Sequence, residues 1–143
     1  MKLAIEARSL LQAEGDVLVV GGYAEENRLA PAVAALDRAL KGLLSEVLRT
    51  EKFAGKPEQI AYVHTVGRLP AKRVLVVGLG KRKELDAERV RRAAAAAVRR
   101  ARDLGARIVS TALLGDGLAP KVSAQAIAEG TLLGAYTFDR YKR

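Results

Sequence analysis

Short, continuously apolar runs alternate along this chain with longer segments in which apolar residues recur every three or four positions. The continuous runs predict buried β-strands, and the periodic segments predict helices that bury one face. Because both faces of such strands are apolar, the sheet must be covered by helices on both sides. The pattern therefore predicts a three-layer α/β/α domain with a mixed, mostly parallel sheet. The strands are expected at residues 2–7, 16–20, 60–66, 73–77 and 107–113.

The first predicted helix begins at Pro31, which suits a first helical turn because its fixed backbone angle is already helical. One apolar stripe then continues to about Thr50, so a single helix is expected. Gly42 lies inside this stripe and costs about 1 kcal/mol relative to Ala. A close contact with a neighbouring element is therefore expected at Gly42.

Two further helices are predicted in the second half of the chain. Asp86 suits the N-cap of the next helix, and Gly105 is a typical residue for its end. Five consecutive alanines, at positions 93–97, allow this helix to approach the sheet closely. Ser123 is expected to cap the last helix.

Glycines follow several of the predicted strands. Gly21 and Gly22 close the second strand, Gly115–Gly117 form a turn after the last, and the fourth strand is broken by Gly78-Leu79-Gly80-Lys81. Phosphates and nucleotides bind at the carboxyl ends of strands in α/β folds, so Gly78, Gly80 and Lys81 are the candidate binding residues. The segment matches neither a Walker loop nor a Gly-x-Gly-x-x-Gly fingerprint, and a simple tight turn is the alternative.

The composition limits the classes of protein to consider. The chain has 143 residues, no Cys, no Trp and only 4% aromatic residues, so one domain with a core of Ala, Val, Leu and Ile is expected. The absence of Cys favours a cytoplasmic setting. No apolar run reaches the roughly 18 residues of a membrane span, and Glu6 comes too early for a signal peptide.

The positive charge is concentrated in one region. The net charge is +9, and residues 81–107 contain ten basic and four acidic residues. Such a helix could contact nucleic acid or an acidic partner, with Arg92 and Arg99 among the phosphate contacts. The alternative is a solvated helix face, because stacking aromatic residues are not clustered nearby.

Catalytic chemistry is largely missing from the sequence. His64 is the only histidine, and no group of His or carboxylate residues has the spacing of metal ligands. A Gly-x-Ser-x-Gly nucleophile motif is also absent. We therefore expect no catalytic residue, metal or cofactor site in this chain.

The C-terminal segment turns aromatic and basic and stops without a polar tail, which suggests a chain cut from a longer protein. Tyr136, Phe138 and Tyr141 are spaced so that they do not share one helix face. Either a partner surface covers them or they pack on the domain's own sheet.

Three segments together resemble the leucyl aminopeptidase (cytosol aminopeptidase) family. Residues 53–56 are similar to its Phe-x-Gly-Lys loop, and residues 73–81 to its Arg-hydrophobic-Gly-Leu-Gly strand and turn. Residues 128–142 resemble the segment that leads from the family's N-terminal domain to its catalytic domain. The matching residues there are Ala128, Glu129, Gly130, Leu133, Gly134, Tyr136, Phe138, Asp139, Tyr141 and Lys142.

The resemblance implies that residues 1–143 form a single, non-catalytic N-terminal domain with a macro-domain-like fold. It also implies a catalytic domain outside this chain, in which two divalent metal ions, zinc or manganese, activate water to remove N-terminal residues from peptides. The family's metal-binding motifs are absent here, so no site residue is transferred. Its hexamers imply an assembly and regulatory role, with the catalytic domain and neighbouring subunits as partners.

Two alternatives remain open at the level of the sequence. Macro-like folds can bind ADP-ribose, and Gly78–Lys81 or Gly21 and Gly22 would then line its phosphates. The Arg-rich helix could instead bind nucleic acid, with an affinity that falls steeply with salt.

Overall fold

The computed structural model describes residues 2–6, 10–112, 114–115 and 118–142, and the side chains of residues 10–112, 114–115 and 118–133. Five strands form one sheet in the order β1-β5-β2-β4-β3. The strands are β1 (Lys2–Glu6), β2 (Val17–Ala24), β3 (Ile60–His64), β4 (Arg73–Lys81) and β5 (Ile108–Ala112). The helices are α1 (Pro31–Ala39), α2 (Leu43–Thr50), α3 (Ala87–Asp103) and α4 (Pro120–Lys142), and 3₁₀ turns occupy Leu10–Gln12 and Arg82–Glu84.

The sheet is mixed and mostly parallel, as the sequence predicts. β1, β5, β2 and β4 run parallel to one another, and only the edge strand β3 is antiparallel, paired with β4. Helices α1 and α2 pack on one face, and α3 and α4 pack on the other. The three-layer α/β/α prediction is therefore confirmed.

The central strands supply both cores because successive side chains point to opposite faces of a sheet. In β2, Leu18 and Val20 belong to the core beneath α1 and α2, whereas Val17 and Val19 belong to the core beneath α3 and α4. All four side chains are buried. This explains why the strands are continuously apolar in sequence.

The single helix expected from Pro31 to about Thr50 is wrong, because the chain forms two helices there. Lys41 and Gly42 separate them, with positive φ angles of 56° and 87°. The Asp37 side chain accepts a 2.8 Å hydrogen bond from the Ser45 backbone N–H, which fixes the start of α2. Nothing would lie within 4 Å of a Cβ at Gly42, so backbone conformation, and not close packing, requires glycine there.

The predicted cap of α3 is confirmed, and that of α4 is wrong. The Asp86 carboxylate accepts a 2.8 Å hydrogen bond from the backbone N–H of Arg89. Ser123, however, lies inside α4, which already begins at Pro120. Its buried hydroxyl donates a hydrogen bond to the carbonyl of Leu114, so Ser123 ties α4 to the segment after β5.

Helices α3 and α4 approach closely where Gly130 of α4 meets Arg91 and Ala94 of α3. The five alanines at positions 93–97, which were expected to allow a close approach to the sheet, are all buried. On α4, a Cβ at Gly130 would collide with the backbone carbonyl of Arg91 and lie 3.0 Å from Cβ of Ala94. The Arg91 guanidinium closes the edge of this contact with a 3.1 Å ion pair to Glu129.

Gly130→Ala is expected to destabilise the fold by about 1–3 kcal/mol through this collision. In a free helix the same change would stabilise by about 1 kcal/mol, so the sign of the effect separates packing from propensity. Urea unfolding measures this change in the free energy of unfolding. Ala128→Gly, at an exposed position of α4, is the control. It is expected to lower the free energy of unfolding by only about 1 kcal/mol. A Gly130→Ala chain as stable as the parent would contradict the packing described here.

Asp16 connects the starts of β2, β4 and β5, at the end of the sheet opposite Gly78-Leu79-Gly80-Lys81. Its carboxylate accepts hydrogen bonds from the backbone N–H groups of Arg107 at 2.7 Å and Ile108 at 3.0 Å. The Lys72 ammonium lies 3.6 Å from the same side chain. These two backbone hydrogen bonds, together with the charge of Lys72, hold the pKa of Asp16 below its ordinary value of 3.8.

Asp16→Asn is expected to cost about 1 kcal/mol of unfolding free energy at neutral pH. Because the pKa is lower in the folded chain than in the unfolded chain, the ionised carboxylate stabilises the fold above pH 3.8. That contribution is lost as the pH falls through the lower, folded-state pKa. Denaturant titrations at several pH values should therefore show the difference from the parent shrinking in acid. Glu14→Gln, at an exposed neighbouring carboxylate, is the control and should change the unfolding free energy at neutral pH by less than about 0.5 kcal/mol.

Candidate functional site

The candidate binding loop is not a loop. The expectation that Gly78-Leu79-Gly80-Lys81 breaks the fourth strand is wrong, because β4 continues through Lys81. The expectation that Gly21 and Gly22 close the second strand is wrong for the same reason, since β2 continues to Ala24. The two glycine pairs lie side by side in the sheet, with Gly22 paired to Gly78.

The glycines of β4 allow the segment 55–59 to lie directly on the strand. A Cβ at Gly78 would collide with the backbone carbonyl of Lys56. Gly78 donates a 2.7 Å hydrogen bond to the Gln59 carbonyl and accepts one of 2.9 Å from Glu58, and Gly80 donates one of 2.9 Å to the Gly55 carbonyl. The backbone N–H groups that would have cradled a phosphate are therefore already used.

The Gln59 side chain keeps the segment 52–56 in the shape that this contact needs. Its Oε1 accepts hydrogen bonds from the backbone N–H groups of Ala54 at 2.9 Å and Lys56 at 3.3 Å. Its Nε2 donates to the carbonyl of Lys52 at 3.3 Å. Gly55 completes the turn with a positive φ of 73°. The segments 53–56 and 73–81, two separate motifs in sequence, thus form one structural unit.

Acidic residues neutralise the basic end of β4. Lys81 lies 3.7 Å from the Glu25 carboxylate. Arg82 forms a two-pronged ion pair with Glu26, at 2.8 and 3.1 Å, and its guanidinium lies 3.9 Å above the centre of the Tyr23 ring. Lys81 already has a carboxylate partner, which disfavours the binding role proposed for Gly78, Gly80 and Lys81.

Side chains of the domain itself also fill the space beside Gly21 and Gly22. A Cβ at Gly21 would lie 2.6 Å from Cδ1 of Leu79, and one at Gly22 would lie 3.0 Å from Cε1 of Phe53. Both glycines are therefore explained by packing against neighbouring apolar side chains. This observation weighs against the ADP-ribose hypothesis at these positions.

The remaining candidates do not form a catalytic centre in the described part of the chain. His64 is exposed at the end of β3, on the edge of the sheet. Among the residues that the structure describes, no three His, Cys, Asp or Glu side chains are grouped as a metal ion would require. Within those same residues, no helix combines the length and apolarity needed to cross a membrane.

The arginines of α3 divide into two groups. Those at its start are paired, as Arg91 and Arg92 both contact Glu88. Arg99 and Arg100, near its end, are exposed and have no side-chain partner among the described residues. Binding of nucleic acid to this helix stays a hypothesis, which now depends on Arg99 and Arg100.

A cavity of about 480 Å³ opens beside the end of β2 and the middle of β4, on the face covered by α1 and α2. Val33, Leu48, Phe53 and Val76 provide apolar walls, and Arg28 and Arg49 are the basic residues that line it. No sequence pattern pointed to this site, because its residues come from five separate segments that share no local motif. The Tyr136, Phe138 and Tyr141 side chains lie outside the described residues.

The order and direction of the strands define a macro-like α/β domain. The macrodomain of Mycobacterium tuberculosis DarG superimposes with a TM-score of 0.73 over 92% of this chain and 90% of that one. Sequence identity is only 14%, so this likeness concerns the fold alone. The macro-domain-like prediction is confirmed.

The family follows from the sequence. The profile of the cytosol aminopeptidase family, N-terminal domain, matches residues 17–143, and the chain belongs to this family as its N-terminal domain. A probable cytosol aminopeptidase of Alkaliphilus oremlandii is 33% identical over 99% of this chain. A mutant of tomato leucine aminopeptidase superimposes over 94% of the chain with 30% identity and a TM-score of 0.75. The chain spans only 29% and 28% of these two proteins.

Gly78→Ala is expected to destabilise the fold by about 1–3 kcal/mol, because the new methyl group displaces the backbone of Lys56. Urea unfolding measures the loss of global stability. The hydrogen-exchange rate of the Gly80 amide reports the local loosening of the contact with the 55–59 segment. Lys81→Ala is the matched control on the same strand. It removes a charge without a collision and should change stability by less than about 0.5 kcal/mol. Equal stability of the two variants would refute the packing role of Gly78.

Proposed function

We propose that residues 1–143 are a single, non-catalytic domain that helps to assemble and regulate a two-metal aminopeptidase. The metal ions, zinc or manganese, and the peptide substrates would be bound by a separate catalytic domain. The chain spans 29% of its relative from Alkaliphilus oremlandii, which supports a catalytic site in a separate part of the protein. The description of the relatives as cytosol aminopeptidases, together with the absence of Cys, supports a cytoplasmic location.

The described residues do not fit a metal centre, and no catalytic step is assigned to them. They provide no cluster of metal-ligating side chains. Their one histidine lies on an exposed sheet edge. The 143-residue chain should therefore release no product from leucine p-nitroanilide, with or without added zinc or manganese.

The observation that carries the assembly role is an exposed pair of leucines on α4. Leu132 is 71% exposed and Leu133 is 54% exposed. They follow Gly130 and Thr131, which are buried, so α4 is anchored just before the pair. The same segment resembles the family's connection to the catalytic domain. Adjacent exposed leucines on an anchored helix suit a contact with that domain or with a neighbouring subunit.

Leu132→Glu combined with Leu133→Glu should weaken assembly of the full-length enzyme. If the leucines are buried in the assembly, each carboxylate would be placed without a partner, at a cost of several kcal/mol. Sedimentation analysis should show smaller species, and peptidase activity should fall with assembly. The matched control is Leu11→Glu, at a 40% exposed leucine on the Leu10–Gln12 turn. Assemblies and activity equal to those of the control would contradict the proposal.

A further inference from the structure

We infer that the cavity between β2, α1 and α2 binds a small organic anion, in which a carboxylate or phosphate is joined to an apolar group. Its volume of about 480 Å³ lies within the range of small-molecule sites in proteins. The inference goes beyond the assembly role and concerns a different face of the domain from Leu132 and Leu133. It rests on the walls of the cavity and on the balance of charge around it.

The walls of the cavity suit an apolar group. Val33, Leu48 and Val76 are buried core residues that each contribute to the lining. Phe53 joins them because Gly22 leaves room for its ring, with 3.0 Å between Phe53 Cε1 and the position of a Cβ at Gly22. An aliphatic or phenyl group would therefore find apolar contacts on several sides.

The charges around the cavity suit an anion. Four charged side chains line it, namely Glu25, Glu26, Arg28 and Arg49. The two carboxylates are already engaged, Glu25 with Lys81 at 3.7 Å and Glu26 with Arg82 at 2.8 Å. Arg28 and Arg49 have no side-chain partner among the residues that the structure describes. Two arginines that line the cavity are thus without a side-chain partner, and the planar donors of a guanidinium group match carboxylate and phosphate oxygens.

The cavity is distinct from the position where a phosphate was expected. The candidate residues Gly78 and Gly80 donate their N–H groups to the domain's own backbone. The free cationic groups lie instead before α1 and on α2, at Arg28 and Arg49. A ligand held there would contact both α1 and α2, since Val33 and Leu48 belong to these helices.

The test is an NMR titration of the isotope-labelled chain with hydrocinnamate and with phenyl phosphate. Both anions should shift the amide signals of cavity residues such as Ala30, Leu48 and Ala54 in a saturable manner. The tighter of the two identifies whether carboxylate or phosphate is preferred. Hydrocinnamamide, which has the same apolar group without charge, should bind about tenfold more weakly, and inorganic phosphate alone should also bind more weakly.

Arg28→Ala and Arg49→Ala should each weaken binding of the anions about three- to tenfold, as expected for loss of an exposed charge-assisted hydrogen bond. Arg99→Ala removes the same charge from an exposed position of α3, and it is the control expected to leave the affinity unchanged. The inference is overturned if hydrocinnamamide binds as well as hydrocinnamate. It is also overturned if both cavity variants behave like Arg99→Ala, or if the shifted signals lie away from the cavity.

Discussion

The contact between the 55–59 segment and the end of β4 depends on the missing side chain of Gly78. Any Cβ at this position would collide with the backbone of Lys56. With glycine there, three backbone hydrogen bonds of 2.7–2.9 Å join the segment to Gly78 and Gly80. This contact determines what the end of the sheet can do, because it uses the donors that would otherwise face a ligand.

The same contact organises the features around it. It fixes the segment that carries Phe53, and Phe53 in turn closes one wall of the cavity against Gly22. It also brings the chain to Ile60, where β3 begins to pair with Val77 of β4. The resulting domain is macro-like in fold, yet the glycine-rich end of β4 packs against the 55–59 segment of the same domain. We therefore expect ligand chemistry at the cavity rather than at the glycines.

The sequence predicted the features that depend on local chemistry. Alternating apolar segments predicted the layers, Asp86 predicted a cap, and the run of alanines predicted a close approach of α3 to the sheet. The errors arise where tertiary contacts override local rules. Glycines normally end a strand, but those at 78 and 80 continue one because another segment pairs with them. A serine near a helix start normally caps it, but the Ser123 hydroxyl instead donates to Leu114.

Hydrogen exchange at the Gly78 and Gly80 amides tests most directly whether the end of β4 is closed by its contact with the 55–59 segment. Both N–H groups donate to carbonyls of the 55–59 segment. We therefore predict protection comparable to that of Val76, in the middle of the same strand, without any ligand. Rapid exchange in the ligand-free chain, with protection gained only when a phosphate compound is added, would contradict the account. It would restore Gly78-Leu79-Gly80-Lys81 as an open binding loop.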